Sequence, residues 1–310
     1  MSFPIPVLLI GFNRPAFTQK VLDVLRQIRP ARLYVACDGP RLEHSSDQER
    51  CQQVRRMCAP SPEGLVDWHC QVFYRVSEVN QGCRANVVGA LDWIFDNEEA
   101  AIILEDDIVP DPSFFPYCEQ LLERYRLDTR IGCIAANAHQ RMPLRGGSSY
   151  RFSIYTHCWG WATWKRAWMN YDRDLEGWPS FRDQGWMRQL GTAKFSKTWT
   201  AWLNQLAHKP NRSIWDMIWQ FSCWQQGYLT IIPEVELVEN IGFGRDATHT
   251  LDEHSPLTKR SAMAFPLRHP VVIRADHDLD VDTFRRMYAR GPFFELKRKS
   301  LKALRLLGFR

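Results

Sequence analysis

Ala101-Ile102-Ile103-Leu104-Glu105-Asp106-Asp107-Ile108-Val109-Pro110 sets an apolar run directly against three consecutive acids. A short, continuous apolar run reads as a strand buried on both faces, the habit of parallel sheets. In such sheets ligands gather at the carboxyl ends of the strands, so acids placed there face a ligand rather than bulk water. Neighbouring carboxylates repel, and their clustering is costly unless a cation or bound protons relieve it. Hard oxygen ligands suit Mg²⁺ or Mn²⁺, which typically take one or two protein carboxylates together with substrate phosphate oxygens. A solvated acidic turn leading into the next helix has the same composition, because Asp is common at helix starts.

Working outward, the residues before this segment alternate between strand and helix patterns, which implies a mostly parallel sheet. Val7 to Phe12 is apolar; Asn13-Arg14-Pro15 breaks it, and Phe17, Val21, Leu22 and Leu25 then follow at helical spacing. Leu33 to Cys37 reads as the second strand, closed by Asp38-Gly39-Pro40. A polar helical stretch over roughly 45–58, a strand at Gln71 to Val76 and a helix from about Ala85 to Phe95 complete this half. After Pro112 the composition changes. Eleven of the thirteen tryptophans lie between Trp159 and Trp224, and aromatic rings offer flat apolar platforms with a polar edge, as a ligand cleft requires.

The bulk numbers set limits. A chain of 310 residues buries a sizeable core, and 45% apolar with 24% charged residues is a globular composition. A net charge of +5 suits an anionic ligand such as a nucleotide diphosphate, or an anionic membrane, without proving either. Nothing points to nucleic acid. The nine cysteines stand singly with no C-x-x-C pair, which argues against a disulfide framework or zinc ribbon and for reduced thiols in a cytosol. Pro4 to Ile10 is too short to span a bilayer and lacks the flanks of a signal peptide. The expected location is therefore cytoplasmic, with peripheral attachment at the inner face of the membrane as an extension.

The segment Ala101 to Tyr117, with Glu105-Asp106-Asp107 and then Phe114-Phe115, resembles the DxD-type segment of the N-acetylglucosaminyltransferase I family, which starts complex glycan branches on protein-linked mannose. Further matches occur in the family's order over about residues 5–250. Asn13-Arg14 is similar to its basic position near the diphosphate and Asp38 to its uracil-contacting acid. Trp215-Asp216 is similar to the Trp-Asp pair that includes its base, with Met217 where the family has a second Asp. Gly242-Phe243-Gly244-Arg245 and then His249 resemble its late glycine-containing loop ending in His. The resemblance implies an α/β GT-A fold with a mostly parallel central sheet flanked by helices. It also implies a metal-dependent, inverting transfer from a nucleotide diphosphate sugar (a UDP-sugar foremost) to a glycan or lipid-linked hydroxyl. Asp107 and His249 would hold Mn²⁺ or Mg²⁺, with Asn13, Arg14, Asp38, Arg84, Glu105 and Asp106 around the donor and Asp216 as base.

Each residue also has a plainer reading. Arg14 can grip phosphate bidentately, or be a surface arginine before a turn proline. Asp38 suits an Asx turn before Gly39-Pro40, and Arg84 simply opens a helix. Asp216, between Trp215 and Trp219, gains basicity if buried, and is otherwise a first-turn helix acid. Trp159 and Trp161 are taken as acceptor platforms. Trp164 and Trp168, which share helical spacing with Trp161, are taken as core. In 293–310, Phe293, Leu296, Leu304 and Leu307 segregate from Arg298, Lys299, Lys302 and Arg305, the pattern of a helix on an anionic membrane or of a docked terminus. The expected organisation is one catalytic domain over 1–255, with a nucleotide half (1–107) and an acceptor half (108–255), and a C-terminal appendage over 256–310. Two rival functions stand beside it: a sugar nucleotidyltransferase, and a catalytically silent carbohydrate-binding or membrane-scaffold relative.

Overall fold

The computed structural model describes residues 2–139, 144–208, 214–242 and 259–289. The first half follows the alternation of the sequence: β1 (Val7–Gly11), α1 (Pro15–Ile28), β2 (Arg32–Cys37), α2 (Asp47–Met57), β3 (Gln71–Val76), α3 (Cys83–Asn97) and β4 (Ala100–Glu105). Then come β5 (Ile108–Pro110), α4 (Phe114–Arg124), β6 (Ile131–Ala135), β7 (Tyr150–Ser153), β8 (Trp161–Trp164) and the short α5 (Lys165–Trp168). The helices α6 (Trp178–Asp183), α7 (Met187–Leu190), α8 (Ala193–His208) and α9 (Asp216–Gln225) precede β9 (Leu229–Pro233) and β10 (Val238–Asn240). Last is α10 (His277–Thr283), continued by a π-helical turn at Phe284–Tyr288.

Eight strands form one sheet in the order β3-β2-β1-β4-β8-β6-β9-β7, and β5 pairs with β10 in a second, antiparallel ribbon. Only β8 and β7 run against the other six strands of the large sheet. This is the expected α/β architecture, a mostly parallel central sheet flanked by helices. Successive residues of a strand point to opposite faces. Accordingly Val7, Leu9, Val35, Ile102 and Leu104 join a core with α1, α2 and α4. Leu8, Ile10, Tyr34, Ala36 and Ile103 join a second core with α3 and the tryptophan-rich helices.

The stretch 259–289 lies in the part read as an appendage, and it packs on the sheet domain. The Met263 N–H donates to Ser113 Oγ at 2.8 Å, and the Tyr150 hydroxyl pairs with His269 Nδ1 at 2.9 Å. Asp280 is buried, accepting from Arg151 at 2.7 Å, from Ser153 Oγ at 2.5 Å and from the Ile154 N–H at 3.0 Å. A buried carboxylate without such partners would be costly. The amphipathic segment 293–310 lies outside the described residues. None of the nine cysteines is disulfide-bonded, and no helix among the described residues is long and apolar enough to cross a membrane.

Candidate active site

Strands β1 and β4 are paired in parallel with Ile10 opposite Glu105, and β1 and β2 with Gly11 opposite Cys37. Their carboxyl ends therefore deliver Phe12, Asp38 and Glu105-Asp106-Asp107 to one edge of the sheet. A cleft of about 550 Å³ opens there, within the range of small-ligand sites. Arg14, Asp38, Arg41, Glu105 and Asp107 line it from the sheet edge, with Gly242 against Asp107, and Cys158, Trp159, Trp215 and Asp216 complete the lining.

The three acids have different surroundings. Asp106 is 1% exposed and accepts from the Phe12 N–H at 3.1 Å and from Arg14 Nη2. Burial pushes its pKa up, while the Arg14 guanidinium and the Phe12 N–H oppose that shift. Asp107 faces the cleft and accepts from Arg14 Nη1 at 2.8 Å. Its backbone carbonyl accepts from the Ile241 N–H at 2.9 Å. A Cβ on Gly242 would lie 2.1 Å from Asp107 Oδ2, so only glycine lets this loop approach the carboxylate so closely. Glu105 borders the same cleft. Burial, then Asp107 and Asp106, push its pKa up to about 8. Burial alone would lower the Arg14 pKa; Asp106 and then Asp107 more than offset this.

These residues fit a divalent cation in one way only. Among the described residues no group of three or more His, Cys, Asp and Glu has metal-holding geometry. Asp107 presents an oxygen to the cleft, whereas Asp106 is committed to Arg14 and Phe12. A hard cation here would take Asp107 and complete its shell with phosphate oxygens of a ligand, a common habit of Mg²⁺ sites. His249, the other expected ligand, lies outside the described residues.

The remaining expected donor residues divide. Asp38 lines the cleft, but it is 4% exposed and its oxygens are engaged by the N–H groups of Gly39, Gln81 and Gly82 and by the Asn80 amide, at 2.8–3.1 Å. A Cβ on Gly39 would lie 2.3 Å from the Val79 backbone. Asp38 therefore clamps the loop 80–82, and a base contact would have to displace one of these donors. Asn13 does not line the cleft; its amide donates to Asp47 at 2.6 Å. Arg84 turns away, donating to the Arg173 carbonyl at 2.6 Å. Sequence reasoning missed Asp47 and Arg41. Asp47 is 1% exposed and takes both Arg41 Nε at 2.6 Å and Nη2 at 3.1 Å. The Arg41 hydrogen bond is the main reason the Asp47 pKa falls to about 2. The pair holds Arg41 over the Phe12 ring at 5.3 Å, at the cleft wall. Its one sequence signal is an acid opening an otherwise polar helix.

On the opposite wall Asp216 is exposed in the first turn of α9, rather than buried on an aromatic face. Its backbone position is that of a helix-start acid, yet it borders the cleft that holds Glu105. Trp159 lines the cleft as expected. Trp161 does not: it is 1% exposed, stacked on Trp215 and tilted against Trp168 and Trp219. Trp164 and Trp168 are core, as read.

No protein-family profile matches the chain, and no curated protein does. Among solved structures the chain is similar to galactosyltransferase LgtC in complex with donor and acceptor sugar analogues, at 10% identity and a TM-score of 0.38 over 73% of each chain. It is also similar to S. aureus TarS 1-349, at 9% identity and a TM-score of 0.42, over 76% of this chain and 59% of that one. A third is UDP-glucose pyrophosphorylase complexed with UDP-glucose, at 10% identity and a TM-score of 0.28, over 51% of this chain and 64% of the other. Likeness this distant fixes neither family nor substrate.

Proposed function

We propose that this chain is a GT-A-type glycosyltransferase, transferring a hexosyl or N-acetylhexosaminyl group from a UDP-sugar to a glycan or lipid-linked hydroxyl with inversion. The observation that carries the reading is one cleft with Arg14, Glu105 and Asp107 at the carboxyl ends of parallel strands and Asp216 facing them. A diphosphate needs positive charge on that side, and Arg14 supplies part of it. A bound Mn²⁺ or Mg²⁺, held by Asp107, would supply the remainder and stabilise the charge that develops on the leaving diphosphate. Asp216, exposed and on the acceptor wall, would take the proton of the acceptor hydroxyl. That oxygen would bond to the anomeric carbon from the face opposite the departing diphosphate oxygen. Trp159 would offer its ring to the acceptor.

The loop after β1 favours transfer over nucleotidyl chemistry. It holds no glycine and spends the Phe12 N–H on Asp106, whereas a nucleotide-making site would cradle phosphates with a glycine-rich loop there. Membrane attachment through 293–310 belongs to the same proposal, and co-sedimentation with anionic vesicles tests it separately.

The deciding experiment is a thermal-shift panel of UDP and UDP-sugars with Mn²⁺ or EDTA, followed by turnover assays on whichever donor binds. Selective binding to the folded state raises Tm. Stabilisation by UDP with Mn²⁺, lost in EDTA, is expected; equal stabilisation in EDTA would remove the metal role of Asp107. Absence of any UDP response would remove the donor assignment, and binding without turnover would favour the silent relative.

A further inference from the structure

Asp107 is held at its backbone and at one carboxylate oxygen. Arg14 Nη1 lies 2.8 Å from its Oδ2, Gly242 packs against the same oxygen, and the Ile241 N–H fixes its carbonyl at 2.9 Å. Arg14 itself is anchored by its other prong to Asp106, which is 1% exposed and held in turn by the Phe12 N–H. The cleft therefore already contains a cation seated on the carboxylate that a metal would use.

We propose that Arg14 is the resident counter-ion of Asp107, and that it makes the site selective for a cation–diphosphate pair over the free metal ion. The inference rests on the donor reading above. A free dication on the Asp107 carboxylate either displaces Arg14 from Oδ2 or takes the other oxygen, and in both cases it sits beside a guanidinium that Asp106 keeps in place. Like charges at that separation repel strongly at a part-buried site. A diphosphate changes the balance, because its oxygens accept the freed Nη1 donors and screen the two positive groups from each other. Arg14 thus trades one anionic partner for another without leaving Asp106. Cation and nucleotide are then strongly coupled, each raising the affinity for the other by the same factor.

The test is an electron paramagnetic resonance titration of Mn²⁺ on the full chain, with and without saturating UDP, for wild type, Arg14→Gln and Arg14→Lys. Without UDP, Arg14→Gln should bind Mn²⁺ at least ~10-fold tighter than wild type, a coupling of ordinary size. With UDP the order should reverse. Arg14→Lys, which keeps the charge, should stay close to wild type for the free ion. Should Arg14→Gln not fold, the wild-type titration decides alone: Mn²⁺ must bind ~10-fold or more tighter with UDP than without. Equal free-ion affinity in wild type and Arg14→Gln, or no gain from UDP in wild type, would overturn the inference. If UDP binds to wild type whether or not Mn²⁺ is present, the counter-ion role fails while the donor reading stands. If UDP binds under no condition, the donor reading fails as well.

Discussion

The two walls of the cleft were built by different rules. On the sheet side, polar residues at strand ends point into the cavity: Arg14, Glu105 and Asp107 all line it. On the helical side, the residue type most concentrated in the sequence mostly points inward. Trp161, Trp168, Trp178, Trp199, Trp219 and Trp224 are buried among one another, while Trp159 and Trp215 reach the cleft. Place in the topology thus says more about exposure to a ligand than local density of a residue type. The strand end is a fixed geometric address, whereas a rich supply of large rings is first what a helical layer needs to fill its interior.

The contrast breaks most sharply at Asp216, the one charged residue proposed for chemistry on the helical side. Asp216→Asn should lower turnover by about 10²–10⁴-fold, the usual contribution of a general base. Calorimetric UDP affinity should be unchanged, because a base acts on the acceptor in the transition state. Turnover within a few-fold of wild type would leave the helical wall without a chemical role.

The tryptophans offer a second test. Trp161→Ala should cost about 3–5 kcal/mol in denaturant unfolding, as expected for emptying a packed aromatic site. The test is a pair, because Trp159→Ala belongs at the other end of the scale.

Between them lies a pH effect that comes from two buried histidines. His139 and His157 are buried, with ring centroids 4.6 Å apart. Burial lowers the His139 pKa to about 4, and burial followed by His139 lowers that of His157 well below its ordinary value. The unfolded chain then binds more protons than the folded one below about pH 6.5. The histidines' share of the stability should fall as pH drops from there toward 4, at about 1.4 kcal/mol per pH unit per histidine, while Glu105, with its raised pKa, contributes in the opposite direction below about pH 8. Thermal melts of wild type and His157→Gln between pH 7.5 and 4.5 isolate this share: the variant should lose less stability toward acid than wild type, by about 1.4 kcal/mol per pH unit. Equal slopes in wild type and His157→Gln would mean that the ring takes up its proton in the native state as readily as in the unfolded chain.

The smallest expected effect is that of Trp159→Ala on stability, within about 1 kcal/mol of wild type, since the ring is part-exposed at the cleft. A loss as large as that of Trp161→Ala would make the ring structural and erase the contrast.

The difference in legibility follows the same division. Strands and helices from Val7 to Asp107 were readable because buried parallel strands leave uninterrupted apolar runs between turn signals. Beyond them, periodicity misled: Trp161, Trp164 and Trp168 stand at helical spacing, yet the chain is strand β8 up to Trp164 and helix α5 only after it. In that strand Trp161 and Trp164 face opposite cores, which no count of rings reveals. Within the site, residue type and strand-end position located Arg14, Asp38, Glu105 and Asp107 at the cleft. What sequence could not supply was partner choice. Nothing local says that Asn13 serves Asp47 or that Arg84 serves a carbonyl ninety residues on. Such pairings are set by loops meeting across the fold.

Asp38 carries a consequence for how a nucleotide would arrive. Its carboxylate already gathers the Gln81 and Gly82 N–H groups and the Asn80 amide, with Gly39 wedged against Val79. The wall beside β2 is therefore shaped before any ligand enters, and ordering that loop is a cost settled during folding rather than at binding. A nucleotide should find this wall as a rigid body finds a fitted seat, with little backbone rearrangement. In the ligand-free protein the amide hydrogens of Gln81 and Gly82 should accordingly exchange slowly, because the opening that exposes them must first unseat a buried carboxylate.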